Sequence, residues 1–394
     1  KKIMKFLEDI TFRNKRALIR VDYNVPVING KVIDDYRIVE SLPTINYCLD
    51  NNASVVLMSH LGRPNGQKNL DYSLRPISQK LEEILSRKVH FSDDCISDKS
   101  FELSKNMKSK EIHLLENLRF YKEEQFDDKS FSKKLSFHGD VYINDAFGTA
   151  HRMHASNSNI VDYFANKGIG RLFQKEYEFL SNSMEDISGN LIVLVGGKKI
   201  ETKIKLIENL LPSADKILIG GAMAYPLLKE QGCNIGGSFS TKEGEDCAKN
   251  IVNTKEFIKK VVLPIDHVVS EHINSTRVSN IDIEDTKSYQ MGFDIGSKTV
   301  SLFKEYLENA NTIIWNGPLG VFENKSFSRG TLNIIRSIER ATRNGVSSIV
   351  GGGDSVSAIK AFSSIDRFTH VSTGGGASLM LLSGEQLPAI RRIK

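Results

Sequence analysis

The segment Ser347–Leu382 most constrains the fold, because it contains the same short pattern twice. Each copy is an apolar run rich in β-branched residues, then three glycines (Gly351–Gly353 and Gly374–Gly376), then a segment with helical apolar periodicity. Glycines at such a turn let backbone N–H groups approach an anion, and the start of the helix adds unpaired donors and a favourable dipole. Two such units predict parallel strands whose carboxyl ends carry anion-binding loops.

An acidic residue, Asp354, directly follows the first glycine triplet. A carboxylate beside a phosphate-binding loop usually implies a divalent cation between the two. The strand–glycine–helix pattern also occurs in LIVLVGGKK and KILIGGAMA, at irregular spacing that excludes a solenoid repeat. The C-terminal half therefore resembles the phosphate end of a Mg-nucleotide site.

The N-terminal half alternates predicted strands and helices, but its strand ends are not glycine-rich. A hairpin turning on Asn29-Gly30 is followed by a helix from Asp35 to about Leu49. Basic and acidic residues recur just past the strands: Arg20, Asp22, His60, Arg63, Arg119, Asp145, His151 and Arg152. If the strands are parallel, these side chains converge on one sheet edge and suit a small polyanion.

Composition places the chain among ordinary globular proteins. Of 394 residues, 40% are apolar and 26% charged, and the 53 basic and 48 acidic side chains give a net charge of +5. Basic blocks interleaved with aromatic residues are missing, which argues against a nucleic-acid partner. The four cysteines are widely spaced, and no apolar run approaches the ~18–20 residues of a membrane span. We expect reduced thiols and a cytoplasmic location.

Two other nucleotide signatures are missing from the sequence. The nearest approach to GxxxxGK[ST], around Gly292 and Gly296, has the wrong spacing. No early strand is followed by GxGxxG with an acidic residue about 20 positions on, which weakens a dinucleotide dehydrogenase interpretation. HRD and DFG elements of protein kinases are also missing.

Eight strings, taken in chain order, resemble the phosphoglycerate kinase family. They are RVDYNVP (Arg20–Pro26), DDYRI (Asp34–Ile38), SHLGRP (Ser59–Pro64), ENLRF (Glu116–Phe120), YINDAFGTAHRMHAS (Tyr142–Ser156), WNGPLGVFE (Trp315–Glu323), GGGDS (Gly351–Ser355) and HVSTGGGASL (His370–Leu379). The resemblance runs from about residue 18 to 390, and SHLGRP and NDAFGTAHR are close to diagnostic.

This resemblance implies an α/β enzyme of two Rossmann-like lobes, each a parallel sheet wrapped by helices, with a deep cleft and a hinge between them. We expect a phosphoglycerate-binding lobe over residues 1–165, a connector helix over 166–190, a nucleotide-binding lobe over 191–384, and a tail over 385–394 that returns to the first lobe. The implied glycolytic reaction moves the acyl phosphate of 1,3-bisphosphoglycerate to MgADP, in line and after domain closure, giving 3-phosphoglycerate and MgATP. The resemblance implies Mg²⁺ as the cofactor and a monomer without nucleic-acid or membrane partners.

The resemblance also implies the site residues. Those nearest the transferring group would be Arg37, Lys203, Gly374 and Gly375. Substrate-binding positions would be Asp22, Tyr23, Asn24, Arg37, His60, Leu61, Gly62, Arg63, Arg119 and Arg152. Nucleotide-binding positions would be Gly197, Lys199, Lys203, Gly220, Gly221, Gly292, Asn316, Val321, Glu323, Gly351, Gly352, Gly353, Asp354 and Ser355, with Asp354 as the metal ligand.

Some positions depart from the family's pattern. Lys198 stands where alanine is usual, Tyr36 replaces threonine or asparagine, Ala222 replaces glycine, and Met380 replaces glutamate. None removes a residue with a chemical role, so they bear on nucleotide affinity and hinge mechanics. Two alternatives stay open: a catalytically silent nucleotide-binding protein of the same fold, which retention of Arg37 with Lys203 and Asp354 disfavours, and a nicotinamide oxidoreductase.

Overall fold

A computed structural model describes residues 4–185, 189–372 and 374–393. These residues divide into two compact units. The first contains the described residues up to Ser181 together with those from Gln386 onward, and the second contains Asn182–Glu385. Within the described ranges, no helix combines the length and apolar character needed to cross a membrane.

The strands follow one another in chain order as β1 (Arg16–Arg20), β2 (Val27–Ile28), β3 (Lys31–Val32), β4 (Ser54–Met58), β5 (Val89–Phe91), β6 (Ile112–Leu114), β7 (Val141–Asn144), β8 (Lys167–Ile169), β9 (Leu191–Val195), β10 (Lys216–Ile219), β11 (Val261–Val262), β12 (Asp266–Ser270), β13 (Ser279–Asp282), β14 (Met291–Ile295), β15 (Thr312–Asn316), β16 (Ser347–Gly351) and β17 (His370–Val371). The first unit has a six-stranded parallel sheet in the order β5-β6-β4-β1-β7-β8, and the second has one in the order β11-β10-β9-β15-β16-β17. The predicted α/β class with two parallel sheets is confirmed.

The α-helices are α1 (Tyr36–Asp50), α2 (Arg75–Leu85), α3 (Asp98–Lys105), α4 (Lys122–Gln125), α5 (Lys129–Ser136), α6 (Arg171–Glu185), α7 (Ile204–Leu210), α8 (Tyr225–Glu230), α9 (Lys242–Ile251), α10 (Lys255–Lys260), α11 (Ser297–Glu308), α12 (Arg329–Arg343), α13 (Gly353–Phe362), α14 (Gly376–Leu382) and α15 (Pro388–Ile393). Helices connect most of the parallel strands, and their apolar faces bury the sheets. The helix expected from Asp35 to about Leu49 is α1, with Asp35 as its N-cap residue.

The predicted hairpin is present as β2 and β3, which pair antiparallel. Its turn places Asn29 and Gly30 at φ 50° and 71°. Two successive positive φ values match the twist of a tight hairpin, and Asn-Gly tolerates them better than most residue pairs.

A three-stranded antiparallel sheet in the second unit, with the order β13-β12-β14, was not predicted from the sequence. Its edge strand β13 has the polar sequence SNID, which is partly exposed and lacks an apolar run. Lys167–Ile169, which the sequence analysis assigned to the connector, forms β8 and pairs with β7 at one edge of the first sheet. Three residues are too short a run to show a strand period.

A buried chain of histidines and serines lies in the first unit. Ser104 Oγ lies 2.9 Å from His113 Nδ1 and 2.6 Å from His138 Nδ1, and Ser92 Oγ lies 2.7 Å from His113 Nε2. His138 Nε2 donates to the carbonyl oxygen of Cys95 at 2.8 Å, because a carbonyl can only accept. Burial lowers the pKa of His113 to about 3 and that of His138 to about 4, so both rings are neutral.

Candidate functional site

The carboxyl ends of the central strands in the first unit carry the polar residues singled out in the sequence. β1 ends at Arg20, β4 ends at Met58, two residues before His60, and β7 ends at Asn144, directly before Asp145. β1 pairs in parallel with β4 on one side and β7 on the other. These strand ends therefore share one edge of the sheet, where ligands of α/β proteins bind.

Asp22 is the acidic centre of this edge. One of its oxygens accepts a hydrogen bond from Arg37 Nη1, and the other lies 3.8 Å from His60 Nδ1. Burial raises the pKa of Asp22, but neighbouring positive charge, chiefly that of Arg37, outweighs it and holds the pKa at about 2. Burial lowers the pKa of His60 well below its usual value. An ionised carboxylate and a neutral imidazole thus lie side by side.

Gly62 shapes the loop after β4. It has φ +61°, and a Cβ there would lie 2.3 Å from the ring of Tyr72, so only glycine fits. Its N–H donates to Asn24 Oδ1 at 2.9 Å, and its carbonyl oxygen accepts from Arg119 Nη1 at 2.7 Å. The preceding Leu61 is buried. The loop therefore connects three of the predicted substrate-binding positions directly.

Tyr23 can offer only its main chain to a ligand. Its side chain is fully buried, and its hydroxyl lies 2.9 Å from Ser41 Oγ. Its backbone N–H donates to Ser59 Oγ at 2.8 Å, which fixes the chain between Asp22 and Asn24.

A group of arginines and histidines surrounds His60. Burial lowers the pKa of Arg119 to about 10, with Arg152 the largest of the like charges that add to this effect. Burial also lowers the pKa of Arg152, and the charge of Arg63 acts in the same direction. Arg119 Nε, His151 Nδ1 and His154 Nδ1 are buried without a hydrogen-bond partner among the described residues. Crowded like charges with unsatisfied polar atoms favour an anionic ligand.

In the second unit, glycines and one lysine line the ends of the parallel strands. Lys203 Nζ lies 2.5 Å from the carbonyl oxygen of Gly196, just past β9, and 3.2 Å from that of Asn316, the last residue of β15. A Cβ on Gly317 would lie 2.4 Å from Lys203 Nζ. Burial lowers the pKa of Lys203 to about 8, and Asp354 opposes the shift. The strand ends therefore hold the ammonium in a fixed place.

Hydrogen bonds from β15 and α13 hold the first glycine triplet. Asn316 Nδ2 donates to the carbonyl oxygen of Gly351 at 2.7 Å, and Ser355 Oγ donates to the same oxygen at 2.9 Å. Ser355 Oγ also accepts from the N–H of Gly317 at 2.7 Å. Gly352, at φ +98°, is the N-cap residue of α13. The predicted strand–glycine–helix turn is confirmed here.

The second triplet leads into α14 through Gly375, which has φ +47°. The N–H of Gly374 donates to Ser372 Oγ at 3.0 Å. A contact from Gly374 to a phosphoryl group would therefore have to replace that hydrogen bond.

A cavity of about 790 Å³ opens in the second unit. Six predicted nucleotide positions line it: Gly197, Gly221, Gly292, Val321, Glu323 and Asp354. The other predicted nucleotide positions belong to strand ends, to loops and to the first turn of α13: Lys199, Lys203, Gly220, Asn316, Gly351, Gly352, Gly353 and Ser355. Several further lining residues were not predicted from the sequence: Tyr225, Phe239, His267, His272, Phe293 and Leu319. Most of these lie outside the recognised strings, and no motif marks them.

A β-bulge at Phe293 shapes one wall of this cavity. The pairing of β12 with β14 shifts between Val268 and Val269, which leaves Phe293 as the extra residue on β14. Its carbonyl oxygen accepts a hydrogen bond from the N–H of Val321 at 2.8 Å, so the bulge fixes the loop that carries Val321. A Cβ on Gly292 would lie 1.6 Å from the hydroxyl of Tyr225, which explains the glycine.

The two adjacent lysines after β9 have different partners. Lys198 Nζ lies 4.6 Å from the centroid of the Phe239 ring, and both residues line the cavity. Lys199 Nζ lies 3.7 Å from Glu201 Oε1. Lys198 thus places a cation, in contact with an aromatic ring, in the cavity wall.

Asp354 is an exposed carboxylate in the first turn of α13 and lines the cavity. Within the described ranges, no cluster of three or more His, Cys, Asp or Glu side chains could hold a metal ion by itself. Mg²⁺ usually binds proteins through one or two carboxylates together with substrate phosphates. The residues present therefore fit a cation that binds together with a nucleotide.

Known proteins of one family are similar to this chain along nearly its whole length. Residues 7–385 match the family model described as phosphoglycerate kinase. A phosphoglycerate kinase of Finegoldia magna is 46% identical over 390 residues, covering 98% of each chain. One of Thermosipho africanus is 45% identical and covers 98% of this chain and 97% of its own. The solved phosphoglycerate kinases of Coxiella burnetii (36% identity, TM-score 0.85, 99% of each chain) and Pyrococcus horikoshii (33%, 0.87, 99% of this chain and 98% of that one) have similar structures.

Proposed function

The chain belongs to the phosphoglycerate kinase family. From that premise we propose which substrate of the family's reaction each of its two units binds. The reaction is reversible transfer of a phosphoryl group from 1,3-bisphosphoglycerate to ADP, which gives 3-phosphoglycerate and ATP. The protein is therefore a phosphotransferase with a carboxyl group as acceptor. The assignment of one substrate to each unit rests on one observation: arginines and histidines cluster in the first unit, whereas glycines line a cavity in the second.

The first unit binds the phosphoglycerate. The non-transferred phosphate of the substrate contacts a basic group made of His60, Arg63, Arg119 and Arg152. The buried Nε of Arg119, which has no hydrogen-bond partner among the described residues, supports this assignment. Asp22 and Asn24 hold the hydroxyl and carboxyl region of the glycerate. Arg37, fixed by the carboxylate of Asp22, lies nearest the transferring group.

The second unit binds the nucleotide. The adenosine occupies the cavity between Gly221, Gly292 and Val321, and Glu323 accepts hydrogen bonds from the ribose hydroxyls. Lys199 and Lys203 contact the phosphates. Asp354 would hold Mg²⁺, which neutralises phosphate charge when it is bound with the nucleotide.

The chemistry requires no general base. When ATP is consumed, the attacking group is a carboxylate with a reference pKa of roughly 3.5–4, which is already ionised at neutral pH. The enzyme must instead align the reactants and neutralise charge on the moving phosphoryl group. Arg37, Lys203 and the N–H groups at Gly374 and Gly375 supply the positive charge and the hydrogen-bond donors.

Each substrate has its own unit, so we propose that closure about a hinge precedes transfer. Closure also excludes water, which would otherwise hydrolyse the acyl phosphate. The monomeric state and the cytoplasmic location remain predictions from the sequence analysis.

A coupled assay tests the proposal. Purified protein should form ATP from 1,3-bisphosphoglycerate and MgADP, and EDTA should abolish the rate. A protein that binds ADP and ATP in calorimetry but forms no ATP would instead be the catalytically silent alternative.

A further inference from the structure

A fully buried arginine lies behind His60. Arg20 ends β1, and its side chain is 0% exposed. Its Nη2 lies 3.2 Å from His60 Nδ1, its Nε donates to Ser156 Oγ at 2.8 Å, and its Nη1 donates to the carbonyl oxygen of Val21. All three guanidinium nitrogens are engaged, so the orientation of the group is fixed.

A buried carboxylate binds Ser156, the residue that accepts the hydrogen bond from Arg20 Nε. Glu124 on α4 is 0% exposed and accepts two hydrogen bonds from Ser156, at 2.6 Å from Oγ and 3.0 Å from the backbone N–H. The Ser156 hydroxyl has one proton, which it gives to Glu124, so it can only accept from Arg20. The hydrogen bonds therefore run in one direction, from Arg20 through Ser156 to Glu124.

The direction of the contact with His60 is also determined. A guanidinium has donors and no acceptor, so His60 Nδ1 must be the acceptor of the hydrogen bond from Arg20. A neutral ring that accepts at Nδ1 carries its proton on Nε2. The Asp22 carboxylate is 3.8 Å from Nδ1, too far for a hydrogen bond that would compete for a proton there.

The surrounding charges keep the ring neutral. Burial opposes protonation of the His60 ring, Asp22 favours it, and the charges of Arg20, Arg119 and Arg152 oppose it. His60 can therefore help to bind an anion only as a neutral donor. Its contribution depends on which nitrogen holds the proton.

We propose that Arg20, anchored by Ser156 and Glu124, is a positioning residue that selects the Nε2–H tautomer of His60 and so makes this histidine a donor toward an anionic ligand. The proposal rests on the proposed function in one respect, that His60 contacts the phosphate of 3-phosphoglycerate. In the opposite tautomer the proton would lie on Nδ1, toward Asp22, and Nε2 would present a lone pair that repels a phosphate oxygen.

The first test needs no variant. Long-range ¹H–¹⁵N spectra of the ligand-free full-length protein at neutral pH, with His60 assigned by comparison with His60→Gln, report the protonation of each ring nitrogen. We expect Nε2 to be protonated and Nδ1 to be an acceptor. A proton on Nδ1 would overturn the proposal.

The variants Arg20→Lys and Ser156→Ala test the anchor. Lysine keeps the charge but cannot contact His60 and Ser156 together with one planar group. We expect Arg20→Lys to shift the His60 proton toward Nδ1 and to raise KM for 3-phosphoglycerate by roughly 10–100-fold, the effect of losing one charge-assisted hydrogen bond, with a smaller change in kcat. Ser156→Ala should move the same signals in the same direction, but by less.

Ser132→Ala is the matched control, because Ser132 is buried and donates at 3.0 Å to the carbonyl oxygen of Ala155, the neighbour of Ser156. It should leave the His60 signals unchanged. An unchanged tautomer in Arg20→Lys, or equal spectra for Ser156→Ala and Ser132→Ala, would overturn the role of the anchor. If the tautomer switches while KM stays constant, the assignment of His60 to the phosphate fails instead, so the two failures are distinguishable.

Discussion

The ammonium of Lys203 lies 2.5 Å from the carbonyl oxygen of Gly196, at the edge of the sheet on which we place the nucleotide phosphates. Burial lowers the pKa of this lysine from its usual value to about 8. A phosphate dianion favours the charged ammonium, so nucleotide binding must raise that pKa again. At the same site, binding and proton uptake are therefore coupled.

We expect ADP binding at pH 8 to take up about half a proton, because Lys203 is then about half neutral in the free protein. Calorimetry in two buffers of different ionisation enthalpy measures this uptake. Lys203→Arg should abolish it, because arginine stays charged. Lys205→Arg, an exposed change on α7, is the control, and equal proton uptake by both variants would contradict the assignment.

Arg37→Ala should lower kcat by roughly 10²–10⁴-fold and change KM for 3-phosphoglycerate much less, because the guanidinium stabilises charge that develops in the transition state. Steady-state kinetics in both directions measure the two constants. Arg75→Ala is the control, since Arg75 also contacts an aspartate in the first unit but is exposed. A near-normal kcat in Arg37→Ala would mean that another group has this role.

Asp354→Ala should weaken the response of the rate to Mg²⁺ and leave 3-phosphoglycerate binding intact, because Asp354 belongs to the second unit. Rates over a Mg²⁺ titration, with calorimetry of phosphoglycerate binding, check both parts. Asp366→Ala removes an exposed carboxylate of the same unit and should behave like the unchanged protein. Loss of phosphoglycerate binding in Asp354→Ala would show that the units are assigned wrongly.

Lys198→Ala should raise the dissociation constants for ADP and ATP a few-fold, more at low salt than at high salt. A partly exposed cation beside a phosphate contributes up to about 1 kcal/mol, or roughly fivefold in affinity. Because Phe239 holds this ammonium at 4.6 Å, Phe239→Leu should reproduce part of the effect while preserving an apolar side chain. If the affinity of Lys198→Ala for ADP and ATP is unchanged at low ionic strength, Lys198 does not contribute to nucleotide binding.

The free energy of unfolding should fall as the pH drops from about 6.5 toward 4. Burial lowers the pKa of five histidines, His113, His138, His151, His154 and His267, to between about 3 and 4, so in this window the unfolded chain binds protons that the folded one does not. These histidines outnumber the buried carboxyls of Asp145 and Asp294, whose raised pKa acts in the opposite direction. Each such histidine adds a slope of up to about 1.4 kcal/mol per pH unit. Urea unfolding at pH 7, 6 and 5 measures the trend, and constant stability across this range would contradict it.

The sequence predicted those parts of the fold that repeat a local pattern. Glycine triplets, alternating strands and helices, and polar residues at strand ends all follow from periodicity and turn chemistry, so α13 and the edge near Asp22 were foreseeable. No such pattern marks the antiparallel sheet or the aromatic residues that line the cavity, such as Phe239. The burial of Arg20 was not foreseeable, because its anchor Ser156 is 136 residues away in the chain.

The first unit cannot complete its fold until helix α15 has been synthesised. It packs on residues far earlier in the chain: the N–H of Ala389 donates to the carbonyl oxygen of Ala150 at 3.2 Å, and Arg392 Nη1 lies 2.7 Å from Asp162. On a translating ribosome, strands β1–β8 emerge first, yet the surface that α15 covers stays open until the whole second unit has been made. The second unit is one continuous segment, whereas the first is completed only after α15, which follows the whole second unit in the chain, has been made.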